Sequence, residues 1–150
     1  MKIVFVCWGN ICRSPMAERV ARKFAADAGL DLDITSAAVS SEELGAPIDR
    51  RAARVLTRAG YDASGHRAHR ITAGEITSAD LVIAAEQVHI DRMLRLVPDA
   101  QNLRLINDFN PAKPSGTPLI DPWYGPESGF DETLADIEAA MPGLLASLKA

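Results

Sequence analysis

A short apolar run, Lys2-Ile3-Val4-Phe5-Val6, passes directly into Cys7-Trp8-Gly9-Asn10-Ile11-Cys12-Arg13-Ser14-Pro15, and an amphipathic helical pattern follows at once. A strand this apolar is buried on both faces, the situation of a central strand in a parallel sheet. The connecting loop then sits between the end of that strand and the N-terminus of a helix. Such a place collects unpaired backbone N–H groups and the positive end of a helix dipole, both suited to a phosphate-like dianion. A thiolate placed beneath that anion is a nucleophile aimed at phosphorus.

The rest of the chain alternates strand and helix patterns. Ser14 and Pro15 suit an N-cap and a first helical position. Met16, Ala17, Val20, Ala21, Phe24 and Ala28 then form an apolar stripe, opposed by Glu18, Arg19, Arg22, Lys23 and Asp27, and Gly29 stops the helix. A second strand near Asp33–Val39 leads to a helix over Asp49–Ala59 with the stripe Ala52, Val55, Leu56 and Ala59. Leu81–Ala84 and Leu103–Ile106 read as the third and fourth strands, with a helix over Glu86–Leu96 between them. The last helix carries Phe130, Leu134, Ile137, Met141, Leu144 and Leu148, and Pro142 is expected to kink or restart it. Alternation of this kind gives an α/β fold: a parallel sheet with helices on both faces and right-handed crossovers. Ligands then bind outside the carboxyl ends of the strands, where the Cys7 loop begins.

The chain of 150 residues is expected to form one domain, residues 1–150. Its net charge of −4 offers no global attraction to nucleic acid or anionic membranes, although sixteen basic residues leave room for a local positive pocket. The N-terminal apolar run is too short for a signal segment or a membrane span. With two cysteines, both near the N-terminus, no disulfide framework is available. A nucleophilic thiol has to stay reduced, so a cytoplasmic location and a monomer are expected.

Cys7 is the candidate nucleophile, surrounded by the backbone N–H groups of Trp8, Gly9, Asn10, Ile11, Cys12 and Arg13. Those amides, the helix dipole and the guanidinium together favour the thiolate without a histidine partner. Arg13 is the candidate clamp, because its planar fork matches two phosphoryl oxygens. Gly9 and Asn10 suit positive-φ turns that aim successive N–H groups at the ligand. Ser14 can donate to the sulfur or serve as a plain N-cap. Cleaving an aryl phosphate expels a phenolate, whose pKa near 10 calls for a proton donor. Asp121 is the candidate acid and later base, since the adjoining Pro122-Trp123-Tyr124-Gly125 sets aromatic surface beside it. Asp91, Asp108 and Asp131 lack such a context, and His69 and His89 suggest no role. Cys12 is either a small packing residue or the resolving thiol of a peroxide-sensitive pair with Cys7. No Cys, His or carboxylate cluster has metal-ligand spacing, and neither metal nor cofactor is expected.

The loop C-x-G-N-x-C-R-S-P resembles that of the low-molecular-weight protein tyrosine phosphatases. Asp121-Pro122-Trp123-Tyr124-Gly125 resembles the family's D-P-Y-Y-G acid loop, and Ser64-Gly65-His66-Arg67-Ala68 its S-x-H-R-A segment. Motif order, spacing and length extend the resemblance over nearly the whole chain. It implies a three-layer domain on a central four-stranded parallel sheet of order 2-1-3-4, with helices on both faces. It also implies that Ser36 and His66 support the loop asparagine, Asn10. The activity implied is metal-independent hydrolysis of phosphotyrosine and other aryl phosphates through a phosphocysteine. Its protein substrates would carry phosphotyrosine, a tyrosine kinase among them. The rim departs from the family pattern. Where relatives commonly read S-A-G-T and then W-H, this chain has Ser36-Ala37-Ala38-Val39 and then Glu42-Glu43. An aromatic wall is thus exchanged for acid, while Trp8, Trp123 and Tyr124 supply aromatic surface elsewhere. The rival readings are an arsenate reductase using a small-molecule thiol, a phosphocysteine carrier, and an inactive phosphate-binding module. Arg13 and Asp121 together argue against the last two.

Overall fold

A computed structural model describes residues 1–148. Four parallel strands, β1 (Lys2–Cys7), β2 (Asp33–Ala38), β3 (Leu81–Ala84) and β4 (Leu103–Leu105), form one sheet in the order β2-β1-β3-β4. Five helices connect and cover them: α1 (Arg13–Asp27), α2 (Arg50–Arg58), α3 (Ala73–Ser78), α4 (Gln87–Leu96) and α5 (Gly129–Ser147). The chain leaves β1 to one side for β2 and returns to its other side for β3, so the strand order reverses between β1 and β3. That reversal opens a crevice at the strands' carboxyl ends. Cys7 pairs with Ala38 there and lies one residue beyond the pairing of Val6 with Ala84.

Side-chain alternation along β1 divides the core into two layers. Ile3, Phe5 and Cys7 face the layer built on α1, α2 and α5, with Met16, Leu56, Phe130 and Ile137. Val4 and Val6 face the layer built on α3 and α4, with Ile76, Val82 and Met93. Burying each such large side chain stabilises the fold by about 1.5–3 kcal/mol. The nucleophile's strand is therefore clamped on both faces, and the loop it feeds starts from a fixed point.

Several local expectations change. The α1 stripe ends on buried Ala25, while Ala28 and Ala59 are exposed because they fall at the C-caps of α1 and α2. Glu18 and Arg19 are buried, not solvated, because β2 and the segment near Ser64 close over that side of α1. Ile106 leaves β4 for a 3-10 turn, Ile106–Phe109. Helix α3 carries a Thr72/Glu75 capping box, a local signal visible in Thr72-Ala73-Gly74-Glu75. Pro142 neither ends nor restarts α5, which runs unbroken through it. An interior proline costs about 3 kcal/mol, and the packing of fully buried Ile137, Ala140, Met141 and Leu144 offsets that loss. The next residue, Gly143, lets the Phe109 carbonyl approach the helix so closely that a Cβ would collide with it.

Candidate active site

The Cys7 loop turns its two kinds of backbone group in different directions. Most of its carbonyls are taken up by the surrounding scaffold: Cys7 O accepts from Val39 N–H at 3.1 Å, Trp8 O from Ser40 N–H at 3.1 Å, and Ile11 O from Asp49 N–H at 2.9 Å. Asn10 O accepts from His66 Nε2 at 2.6 Å. The amides of Trp8 through Arg13, by contrast, have no backbone acceptor among the described residues. They remain free for a ligand at the N-terminus of α1, where the dipole also favours an anion. Asn10 makes the turn possible with φ of 59°. Gly9 does not share that conformation; a Cβ there would sit 3.3 Å from Glu43 Cγ, a tight contact that the glutamate side chain would have to shift to relieve.

Helix α1 starts at Arg13 with Cys12 at the N-cap position and no side-chain cap. Ser14 is therefore not the N-cap that local pattern suggests. Its hydroxyl oxygen accepts from Asn10 Nδ2 at 2.8 Å and lies 3.0 Å from Cys7 Sγ, with the Ala37 carbonyl farther off at 3.4 Å. With its lone pair engaged by the amide, the hydroxyl has its proton available for the sulfur. The Ser14 N–H also points to Cys7 Sγ, at 3.4 Å. The helix gives up an ordinary cap, and the sulfur gains two donors.

Asn10 is fully buried and held from several elements. Its Nδ2 also donates to Ser36 Oγ at 3.0 Å, and its Oδ1 accepts from His69 N–H at 3.2 Å. Ser36 donates onward to Glu18 Oε1 at 3.1 Å, and Glu18 is paired with Arg19 at 2.7 Å. Arg19 reaches the Asp62 and Ser64 carbonyls, fixing the segment that carries His66. Burial pushes His66 below the usual histidine pKa. It is neutral at physiological pH, and its Nε2–H is the donor to Asn10 O. Ser36 and His66 thus both hydrogen-bond Asn10, and behind them lie Glu18 and Arg19, which helical periodicity assigned to solvent.

Cys7, Trp8, Gly9, Ile11, Cys12 and Arg13 line a pocket of about 400 Å³, whose walls also include Glu42, Glu43, Asp121, Trp123 and Tyr124. The side chains of Asn10 and Ser14 lie beneath it. Arg13 is 3% exposed; its Nη1 donates to Glu86 Oε2 at 2.8 Å and to the Leu119 carbonyl at 2.7 Å. Its Nη2 lies 3.6 Å from Asp121 Oδ2. The other Asp121 oxygen accepts from Trp123 N–H at 3.0 Å and caps the 3-10 turn Pro122–Tyr124. One carboxylate oxygen is thus anchored and the other faces the guanidinium. Arg51 steadies this loop, its guanidinium 5.0 Å from the Trp123 ring centroid and 4.7 Å from that of Phe130.

Two pocket residues had no assigned role. Glu86 follows β3 at the sheet's reversal and orients Arg13. His89 is 1% exposed and its Nδ1 accepts the Glu86 N–H at 3.1 Å, closing a capping box on α4. Burial, reinforced by the Arg13 charge, holds His89 down at about 4, so it is neutral and its Nδ1 stays an acceptor. The signal for both was the E-x-x-H spacing directly after a strand end. Asp91, Asp108 and Asp131 do not line this pocket. Among the described residues no group of three His, Cys, Asp or Glu is disposed to hold a metal ion.

A family model, low molecular weight phosphotyrosine protein phosphatase, matches residues 2–150. A low molecular weight protein-tyrosine-phosphatase of Streptomyces coelicolor is 39% identical over 99% of this chain and 93% of its own length. Low molecular weight protein-tyrosine phosphatase A of Mycobacterium tuberculosis is 39% identical over 96% of this chain and 89% of its own. Among solved structures, a protein tyrosine phosphatase from Entamoeba histolytica with Hepes in its active site superposes with a TM-score of 0.93. It is 29% identical, and the match covers 99% of this chain and 97% of that one.

Proposed function

This chain belongs to the low molecular weight phosphotyrosine protein phosphatase family, and from that premise we propose that it hydrolyses aryl phosphate monoesters through a phosphocysteine at Cys7. The observation that carries the reading is the loop's division of labour: carbonyls bonded outward, amides free, and the Cys7 sulfur beneath them beside Arg13. Cys7 Sγ attacks phosphorus, and the bond from phosphorus to the phenolic oxygen breaks. Asp121 delivers a proton to that oxygen. The Arg13 fork and the loop amides hold the three equatorial oxygens as the phosphoryl group flattens. Water then attacks the phosphocysteine and gives its proton to Asp121, and the bond from sulfur to phosphorus breaks. The Ser14 hydroxyl stabilises the thiolate that departs, and inorganic phosphate is released.

A family of this activity acts on phosphoproteins. Here the walls of Trp8, Trp123 and Tyr124 suit the ring of phosphotyrosine, which reaches deeper than the shorter phosphoserine. Glu42 and Glu43 stand where the family pattern expects an aromatic wall, and they disfavour acidic neighbours of the phosphotyrosine on their side. No step uses a metal, so activity is expected to persist in EDTA. The deciding experiment is Asp121→Asn across a leaving-group series. Loss of a positioned acid is expected to lower kcat by about 10²–10³-fold on phosphotyrosine, and far less on esters whose leaving group needs little protonation. Equal losses along the series remove Asp121 from the acid role.

Cys12 is proposed as the resolving thiol for Cys7. Both thiols are free and buried, and both residues line the same pocket. Burial, with Asp49 and Cys7 adding to it, pushes the Cys12 thiol up and keeps it protonated, which slows its attack on a sulfenic acid without forbidding it, the thiol proton leaving with the water. Peroxide oxidises the Cys7 thiolate to a sulfenic acid, releasing hydroxide. Cys12 Sγ then displaces the sulfenic oxygen as water, leaving a disulfide. Peroxide-treated wild type is expected to recover with dithiothreitol, and Cys12→Ser, active beforehand, to recover much less. Equal recovery, or mass spectra without a Cys7–Cys12 linkage, leaves Cys12 as packing.

A further inference from the structure

A second cavity, of about 130 Å³, opens where α4 meets the strand-like pairing of Ala38 with Arg70. Its rim is Arg70, Arg92 and Arg95, and its floor is Val39, Ile71 and Met93. Three arginines bordering one small cavity concentrate positive charge there, which an anion would relieve. Of the twelve arginines in this protein, six have a carboxylate partner; among the described residues Arg50, Arg67 and Arg104 share the lack of one but line no common cavity with these three. Arg13, Arg19, Arg22, Arg51, Arg54 and Arg58 each have a carboxylate within ion-pair distance. Among the described residues Arg70, Arg92 and Arg95 have none, in a chain whose acidic residues outnumber its basic ones by twenty to sixteen. No carboxylate lines the cavity.

The cavity is one side chain away from the chemistry. Arg92 lies over the indole of Trp8, 4.6 Å from the ring centroid, and Trp8 is itself a wall of the Cys7 pocket. The stacking holds the guanidinium plane in place while leaving its N–H edges free, so little rotamer freedom remains to be lost when an anion binds. The rim of the catalytic pocket is thereby asymmetric in charge: Glu42 and Glu43 contribute acid to its wall, and Trp8 leads to three unpaired cations.

We propose that the Arg70–Arg92–Arg95 cavity is a substrate subsite for a second anionic side chain, phosphate or carboxylate, on the polypeptide whose phosphotyrosine occupies the Cys7 pocket. It rests on the phosphotyrosine reading of that pocket. An extended peptide advances about 3.3 Å per residue, so a residue a few positions from the phosphotyrosine spans one indole. A phosphate is favoured over a carboxylate, since its extra charge and third oxygen can engage more than one guanidinium.

The test uses purified full-length protein, p-nitrophenyl phosphate, and phosphotyrosine peptides with alanine, glutamate or a second phosphotyrosine scanned one to four residues to either side. The variant is R70A/R95A; both residues are exposed. Wild type is expected to favour an anionic peptide over its alanine counterpart by about tenfold in kcat/KM, through KM, as a charge-assisted contact provides. That preference falls as salt is added. The double variant is expected to lose the preference and to hydrolyse p-nitrophenyl phosphate as wild type does. The glutamate and phosphotyrosine arms identify which anion the site takes. A wild type indifferent to the second anion, or a double variant that keeps the preference, overturns the subsite. If wild type fails to turn over p-nitrophenyl phosphate, the reading of the Cys7 pocket itself has failed.

Discussion

Cys7→Ser is expected to abolish measurable turnover while leaving the fold intact. A serine hydroxyl is a far poorer nucleophile toward phosphorus than a cysteine sulfur. The fall in kcat on p-nitrophenyl phosphate should therefore be at least about 10³-fold. The replacement is nearly isosteric at a position 3% exposed, beside Ser14 Oγ at 3.0 Å, so the new hydroxyl can keep that hydrogen bond. The anion cradle and Arg13 remain. The variant is accordingly expected to bind tyrosine-phosphorylated protein without releasing it, with a melting temperature close to wild type. Turnover within tenfold of wild type takes the nucleophile's role away from Cys7; the chain's one other thiol, Cys12, is buried and held protonated.

The parts of this site that were legible in the sequence are those fixed over a few consecutive residues. The strand, the turn and the helix start around Cys7 are written contiguously, and the apolar character of β1 was enough to place it between two layers. The sheet order and the bracing of Asn10 by Ser36 and His66 came through family resemblance, since residues 26 and 56 positions apart carry no local sign of meeting. Helical periodicity misassigned Glu18 and Arg19 because it ranks residues by polarity, whereas their burial is set by partners contributed from β2 and the loop before His66. Ser14 shows the same limit from the other direction. Its local chemistry makes it a good N-cap, and tertiary contact with Asn10 and Cys7 redirects it. Gly9 was expected at a positive φ, which Asn10 alone of the two adopts; what Gly9 spares is a tight contact with the Glu43 side chain. Pro142 is the case where packing overrides propensity outright, since α5 contributes several of the most buried side chains in the core.

Arg13→Lys is expected to be nearly as damaging as loss of the nucleophile, and by a different route. Arg13 uses Nη1 for two anchoring contacts, Glu86 at 2.8 Å and the Leu119 carbonyl at 2.7 Å, and so holds its planar fork at a fixed angle in the pocket. A lysine ammonium has a single nitrogen. If it pairs with Glu86 it leaves the phosphoryl oxygens, and if it turns to them it strands Glu86 and the carbonyl. Neither arrangement spreads two parallel donors over oxygens that move as the phosphoryl group flattens, so transition-state stabilisation suffers more than ground-state binding. The expected fall in kcat/KM is about 10³-fold, or about 4 kcal/mol, with most of it in kcat. The charge is preserved, so competitive inhibition by inorganic phosphate should weaken much less than turnover. A variant whose kcat/KM stays within tenfold of wild type would show that a point charge suffices and that the guanidinium geometry is incidental. A variant that loses phosphate affinity and raises KM while keeping kcat would instead place Arg13 in ground-state binding alone, with the amides left to carry the transition state.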